Sequence, residues 1–228
     1  MELLPFPRIL EVIEYTPFFE LPAIGGLSIN KLIVATNEND ILQRVINTGE
    51  YKPDKVKPSI SPSMDIQVAS NFERLIFDIF SYNTEKTVKL MEDLNEKGEF
   101  KLEKDDLNKI NKVFCSDSLS EDETKLVIKS TYKNYGSLID PHTAVAIGVA
   151  NKIKLKGDTV ILSTAHPAKF SDVVTQETSI TPELPEKLKD VLIQKEKYIK
   201  LPNDLKVKEV LKKEIYLVSK HSVREESM

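Results

Sequence analysis

Short β-branched runs alternate along this chain with longer segments of helical spacing, and this alternation constrains the fold more than any other feature. Leu32, Ile33, Val34 and Ala35 read as a short buried strand that ends in a polar turn. Residues 113–116 and the run Val160-Ile161-Leu162 read as two further strands. Helical patterns separate them, and strands alternating with helices point to an α/β fold with a largely parallel sheet flanked by helices.

The helical segments carry start and stop signals. Ser70 followed by Glu73 has the spacing of a capping box, and Phe72, Leu75, Ile76, Ile79 and Phe80 then repeat as one buried face. In residues 84–95 the predicted buried stripe is Val88, Met91 and Leu94, with Gly98 as the stop. A charged, partly amphipathic helix is predicted over 102–113. Ser120 and Glu123 form a second capping box ahead of Thr124, Val127, Ile128 and Tyr132. Asp140 is a suitable N-cap for an Ala- and Val-rich helix, with Pro141 at the first helical position, where its missing N–H costs nothing. Residues 184–213 are expected to form two surface helices joined at Leu201-Pro202-Asn203, and residues 220–228 to fray.

Composition excludes several classes of function. A formal net charge of −4 and a pI near 5.6 argue against a general nucleic-acid or anionic-membrane surface. No apolar run reaches membrane-spanning length, and no metal-ligand spacing occurs. Cys115 is the single cysteine, so no internal disulfide is available; it reads as a small buried hydrophobe. With Glu2 in place of a basic leader, the expected compartment is cytoplasmic.

The wording of four segments is more specific than their periodicity. Ser63-Met64-Asp65-Ile66-Gln67-Val68 runs into Ser70-Asn71-Phe72-Glu73-Arg74-Leu75, within residues 61–78. The others are 30–42, 139–146 (Ile139-Asp140-Pro141-His142-Thr143-Ala144-Val145-Ala146) and 160–170, where Ser163 and Thr164 follow the strand. Together they resemble threonine synthase, a pyridoxal-phosphate enzyme, from about residue 26 to about residue 211. The resemblance implies part of a fold-type II pyridoxal-phosphate enzyme. Two of the family's motifs do not occur in this sequence. One is the Pro-Thr-x-Ala-Phe-Lys-Asp setting of the Schiff-base lysine. The other is the Gly-Asn-Phe-Gly-Asn phosphate loop, in whose place stand Glu11-Val12-Ile13-Glu14-Tyr15. The chain is therefore read as the C-terminal portion of a threonine synthase, truncated on the N-terminal side.

What the resemblance implies is conversion of O-phosphohomoserine and water to threonine and phosphate with pyridoxal phosphate, the isolated chain being inactive. It places a neutral hydroxyl against the pyridine nitrogen at Thr164, with Ser163 beside it. From the residues alone, without the resemblance, Thr164 reads first as a cap for a helix starting near Pro167. Ser63, Asp65, Asn71, Arg74 and His166 are candidates for the substrate side, an arginine suiting a phosphate. Lys169 does not stand in the place of the family's catalytic lysine, and His142 and Thr143 read as satisfying buried backbone groups. Three regions are expected: a non-family segment over 1–25, a partial α/β domain over 26–180 and a helical tail over 181–228. The first is either a product of frameshift or gene decay, or an apolar extension covering a sheet edge, and it shows neither helical nor strand period. Two other functional classes remain open: one half of a split enzyme needing a separate N-terminal chain, and a non-catalytic remnant or binding module. Thr164 is expected on a central strand, sharing a cleft with Thr36 and Asn37. Ile33, Val34, Ile161 and Leu162 are expected to lose part of their cover.

Overall fold

The computed structural model describes residues 8–12, 30–153, 157–191 and 193–196. By compactness the chain divides into Met1–Glu183 and Leu184–Met228. In the second unit the described residues hold a single-turn 3-10 helix, Glu186–Leu188, in place of the start of the first predicted surface helix. The remainder of those two helices, and residues 220–228, lie outside the described residues.

The first unit is built on a parallel sheet of β1 (Arg8–Val12), β2 (Leu32–Thr36), β5 (Phe114–Ser118) and β6 (Thr159–Ile161), in the order β5-β2-β1-β6. A two-residue antiparallel pair, β3 (Glu50–Tyr51) with β4 (Phe100–Lys101), stands apart from it. The α/β class with parallel strands is thus as the alternating pattern predicts.

All five residues of β2 are buried, because its two faces meet different helices. On one face Leu32 and Val34 pack with α1 (Ile41–Thr48), α2 (Phe72–Ile79) and α4 (Lys104–Val113), through Ile41, Val45, Phe72, Ile76 and Ile110. The long α3 (Thr84–Lys97) lies outside these, touching the same core through Leu90, Met91 and Leu94. On the other face Ile33 and Ala35 pack with Val145, Ala146 and Val149 of α6 (Pro141–Ile153) and with Leu119. A parallel strand needs cover on both sides, and here apolar side chains of alternating direction supply it.

Helix α6 lies close to its neighbours because of Gly148. A Cβ at that position would stand 2.4 Å from Cδ2 of Leu119 and 2.7 Å from its Cδ1. Before α6 in sequence, α5 (Glu121–Tyr135) begins with the predicted capping box. The Ser120 hydroxyl accepts from the Glu123 amide, while the Glu123 carboxylate accepts from the Ser120 amide at 2.9 Å. Lys152, at the end of α6, reaches back to Glu123 at 2.9 Å and to the Ser118 carbonyl at 2.9 Å. The start of α5, the end of β5 and the end of α6 are thereby joined. Among the described residues no helix is long and apolar enough to cross a membrane.

Several expectations are corrected. The Ser70–Glu73 capping box does not form: Asn71 precedes α2 with helical dihedrals, φ −79° and ψ −14°, and no side-chain cap closes the helix start. A cap of that kind needs an extended residue at the boundary, and the chain is already turning at Ser70 and Asn71. In α3 the inward stripe is Thr87, Leu90, Met91 and Leu94, and Val88 is 48% exposed. Burial of Thr87 sets the helix rotation and turns its neighbour, 100° further round, toward solvent. Ile33 and Val34 keep their cover, at 1% and 9% exposure, because α6 and the α1–α2 layer close on β2 from both sides; Ile161 and Leu162 are half-buried. The segment expected to lack strand character supplies β1, which lies inside the sheet between β2 and β6. As a result β6, expected to be central, ends the described sheet, and Val160 is 40% exposed.

Glu123 offers a test of the junction between α5 and α6. Hydrogen bonding from Lys152, followed by that from the Ser120 amide and hydroxyl, holds its carboxyl at about 2, below the ordinary 4.5. A depressed folded-state value contributes stability that is fully present above about pH 4.5 and is lost as the pH falls toward 2. Replacing Glu123 with Gln keeps an acceptor for the Ser120 amide and removes the charge, so the cost at pH 7 should be about 0.5–1 kcal/mol, the worth of a partly exposed ion pair. Urea midpoints measured from pH 7 to pH 2 should converge for the two proteins at the acid end.

Candidate functional site

Residues 59–69 cross over the carboxyl ends of the strands, from one face of the sheet to the other. Met64 packs into the core beneath α6, whereas Ala69 packs into the core beneath α2. This crossing brings the segment 61–78 against the polar residues that follow β2, the place where open α/β sheets bind ligands.

Asp65 fastens the crossing to β2. Its Oδ1 accepts from the Ser59 hydroxyl at 2.6 Å, from Asn37 Nδ2 at 2.8 Å and from Asn39 Nδ2 at 3.0 Å, while Oδ2 accepts from the Ser59 amide at 2.8 Å. Asn37 also reaches the Ser61 hydroxyl at 3.0 Å, and its own Oδ1 accepts from the Asn39 amide at 2.8 Å. Asn39 completes the set by exchanging hydrogen bonds with the backbone of Lys57, both at 2.8 Å. Every donor here meets an acceptor, which is what permits Asn37, Asn39 and Ser61 to be buried.

A second polar group starts at Asp140, which caps α6 as its sequence predicts. Asp140 is fully buried. Its Oδ1 accepts from the His142 amide at 2.9 Å and lies 2.9 Å from His142 Nδ1, and its Oδ2 accepts from the Thr143 hydroxyl. Burial works to raise the Asp140 carboxyl, but hydrogen bonds from the His142 ring, the Thr143 hydroxyl and the His142 amide outweigh it and hold the group below the ordinary carboxylate range. The other ring nitrogen, Nε2, accepts from the Ser63 amide at 3.2 Å. Phe170 lies against the imidazole, with ring centroids 4.8 Å apart. Thr143 Oγ1 lies 3.5 Å from Ser163 Oγ, a marginal contact that brings the end of β6 to the start of α6.

The predicted site residues divide by surroundings. Ser63, Ser163 and, through Asn37, Asp65 belong to this connected group, and Ser63 and Ser163 remain exposed. Asp65 is committed to four loop donors, so its carboxylate serves the loop. Thr164 is exposed beyond β6 and is separated from the end of β2 by β1. The cap of the 3-10 turn Pro167–Phe170 is His166, whose Nδ1 accepts from the Ala168 amide at 3.2 Å; this is the role that the residues alone allow Thr164. Lys169 holds its ammonium 5.4 Å from the Phe170 ring centroid. Asn71 and Arg74 belong to α2 and its start, on the sheet face opposite α6, with Arg74 exposed. Cys115 is half-buried against the α6 core.

Asp140, Asn39, Ser59 and Ser61 are organising residues that the sequence does not place in the site, and Asn37, expected at the cleft, is buried as a structural donor. Their signal is local: asparagines and serines two apart, just after a strand and within a proline-containing loop, are side chains that bond nearby backbone. Asp65→Asn tests the first group. An amide would turn one oxygen into a donor, facing either the Ser59 amide or the three donors at Oδ1. The expected loss is about 1.5–3 kcal/mol, the worth of hydrogen bonds to a charged acceptor. Urea denaturation measures it, and amide exchange at Ser59 and Ser61 should quicken first.

Known proteins similar to this chain in sequence and in fold are threonine synthases. Residues 143–211 match the family model described as threonine synthase, C-terminal. The threonine synthase of Pseudomonas aeruginosa is 39% identical over 183 residues, which cover 79% of this chain and 39% of that protein. That of Saccharomyces cerevisiae is 38% identical over 175 residues, covering 68% of this chain and 34% of the relative. An X-ray crystal structure of PLP-bound threonine synthase from Brucella melitensis superposes with a TM-score of 0.78 at 37% identity, covering 90% of this chain and 45% of that one. The chain therefore spans less than half the length of the relatives it matches. In sequence and in fold alike, it belongs to the threonine synthase family.

Proposed function

We propose that this chain is the C-terminal part of a threonine synthase that converts O-phosphohomoserine and water to threonine and phosphate with pyridoxal phosphate, and that it does so together with a separately supplied N-terminal half. One observation carries the reading. Polar residues from all four family-like segments meet at the carboxyl ends of one sheet: Asn37 with Ser61 and Asp65, Ser63 with His142, and Thr143 with Ser163.

The donor set suits one side of the cofactor. Ser163 and Thr164 are exposed hydroxyls at the carboxyl end of a parallel strand, and a hydroxyl can donate to a pyridine nitrogen without stabilising a pyridinium as a carboxylate would. When bound, pyridoxal phosphate supplies an electron sink for carbanions formed on an amino-acid substrate. This chain's part is to hold and orient. Thr164 directs its hydroxyl to the ring nitrogen, with Ser163 beside it. Ser63, Asn71 and Arg74 form the substrate side, where the guanidinium matches a phosphate by charge and geometry. His166 flanks them, and Asp65 keeps Ser63 in place by fastening its loop. The lysine amine that moves protons must be desolvated and close to the reacting carbon, and Lys169, exposed over Phe170, does not meet that condition. The N-terminal half supplies that lysine and the phosphate loop.

Phosphate release from O-phosphohomoserine tests the reading. The chain alone should release none, and release should appear when a polypeptide carrying the family's lysine and phosphate-loop motifs is added. Thr164→Val should weaken cofactor binding by the pair about tenfold, the loss expected for one hydrogen bond. Borohydride treatment of the chain alone with pyridoxal phosphate, followed by peptide mapping, should give only scattered labelling of exposed lysines. Stoichiometric labelling at one lysine would overturn the division of labour, and absence of turnover by the pair would favour a binding module.

A further inference from the structure

Both nitrogens of His142 are committed, and their partners fix the tautomer. A carboxylate only accepts, so the ring nitrogen 2.9 Å from Asp140 Oδ1 carries the hydrogen; an amide N–H only donates, so Nε2, 3.2 Å from the Ser63 nitrogen, is bare. Asp140 is fully buried and His142 is 3% exposed. A buried ring bonded in this way has no proton to exchange with a substrate. It is a strut between the first turn of α6 and the 3-10 turn Pro62–Met64, whose Pro62 and Ser63 are exposed.

That turn is held from two directions. Asn37 bonds the Ser61 hydroxyl on the side before it, and Asp65, joined to Asn37 and Asn39, anchors the side after it. These contacts leave the amide of Ser63 to be fixed, and His142 does so across the carboxyl ends of the strands. We propose that His142 is a positioning residue for Ser63: locked by Asp140 as the Nδ1–H tautomer, it sets the Ser63 backbone so that the exposed side chain is presented to the phosphate ester of the substrate. The substrate part of this proposal rests on the reading of Ser63 given above; the tautomer and the backbone lock do not.

Two substitutions separate positioning from plain stability. Glutamine at 142 keeps an acceptor where Nε2 lies but loses the donor to Asp140. Asparagine keeps a donor where Nδ1 lies and cannot reach Ser63. Both lose the ring that packs on Phe170, so both should lower the melting temperature, whereas exchange at the Ser63 amide should separate them. In His142→Asn that exchange should quicken about tenfold, and in His142→Gln it should stay within about twofold of the parent, as expected for one hydrogen bond. Asp140→Asn can donate to Nδ1 and so admits the opposite tautomer, as in catalytic triads where an amide replaces the carboxylate; it should quicken Ser63 exchange with His142 intact. Nitrogen NMR of the ring should show Nδ1 protonated and Nε2 bare. With the two halves combined, KM for O-phosphohomoserine should rise about tenfold in His142→Asn and be rescued in His142→Gln. An Nε2–H ring, or equal exchange in the two His142 variants, overturns the lock. The expected exchange pattern with KM unchanged in both variants overturns the substrate role. A parent pair without turnover sinks the functional reading alone, and the ring and exchange measurements then decide the proposal.

Discussion

The rest of the structure depends on the burial of β2 on both faces. Five consecutive buried residues leave no edge or face of this strand for water, so a helix layer must close on each side. Ile33 and Ala35 require α6, and Leu32 and Val34 require α1, α2 and α4. Each buried aliphatic side chain contributes about 1.5–3 kcal/mol. Gly148 leaves the space that Leu119 fills at this closure, and a methyl group there would force the Leu119 side chain to shift. Once both layers are closed, the carboxyl end of β2 is the outlet for polar residues, and Asn37 and Asn39 stand there.

The polar groups at that end do structural work before any chemistry. Asp65, Asn37, Asn39, Ser59 and Ser61 form a saturated set, and a buried polar set is stabilising only when saturated. Asp140, His142 and Thr143 do the same at the start of α6. The loop 59–65 runs between the two sets, so its exposed tip, Pro62 and Ser63, is rigid in backbone and open in side chain. This is how binding residues are commonly carried: on a loop held by a scaffold, with the scaffold's own polar contacts hidden behind it.

Two capping boxes with similar spacing had different outcomes, and the difference is instructive. Ser120 follows an extended strand end, has β dihedrals and closes the reciprocal pair with Glu123. Ser70 lies in a turn imposed by the crossing of residues 59–69, with the Ala69 amide held by the Tyr51 hydroxyl at 2.7 Å. The spacing is local, but the dihedral that makes it a cap is inherited from the chain before it. Val88 follows the same logic, since a helical pattern defines a stripe only to within the width of one residue, and the packing of Thr87 chose which edge was buried.

From the sequence alone the class of fold, the strands β2, β5 and β6, the starts of α5 and α6, the stop of α3 at Gly98 and the family resemblance were all legible. The elements rest on neighbours within a few residues, as β-branched runs, Ser or Asp caps and a left-handed glycine, whereas the class rests on their alternation and the resemblance on the wording of four segments. Tertiary structure alone decided that β1 lies between β2 and β6 and that β6 ends the described sheet. It also decided that Asp65 serves its own loop and that His142 reaches Ser63 across 79 residues of sequence. Pairing order and the convergence of distant polar groups depend on which surfaces meet, and no local period in the sequence records that.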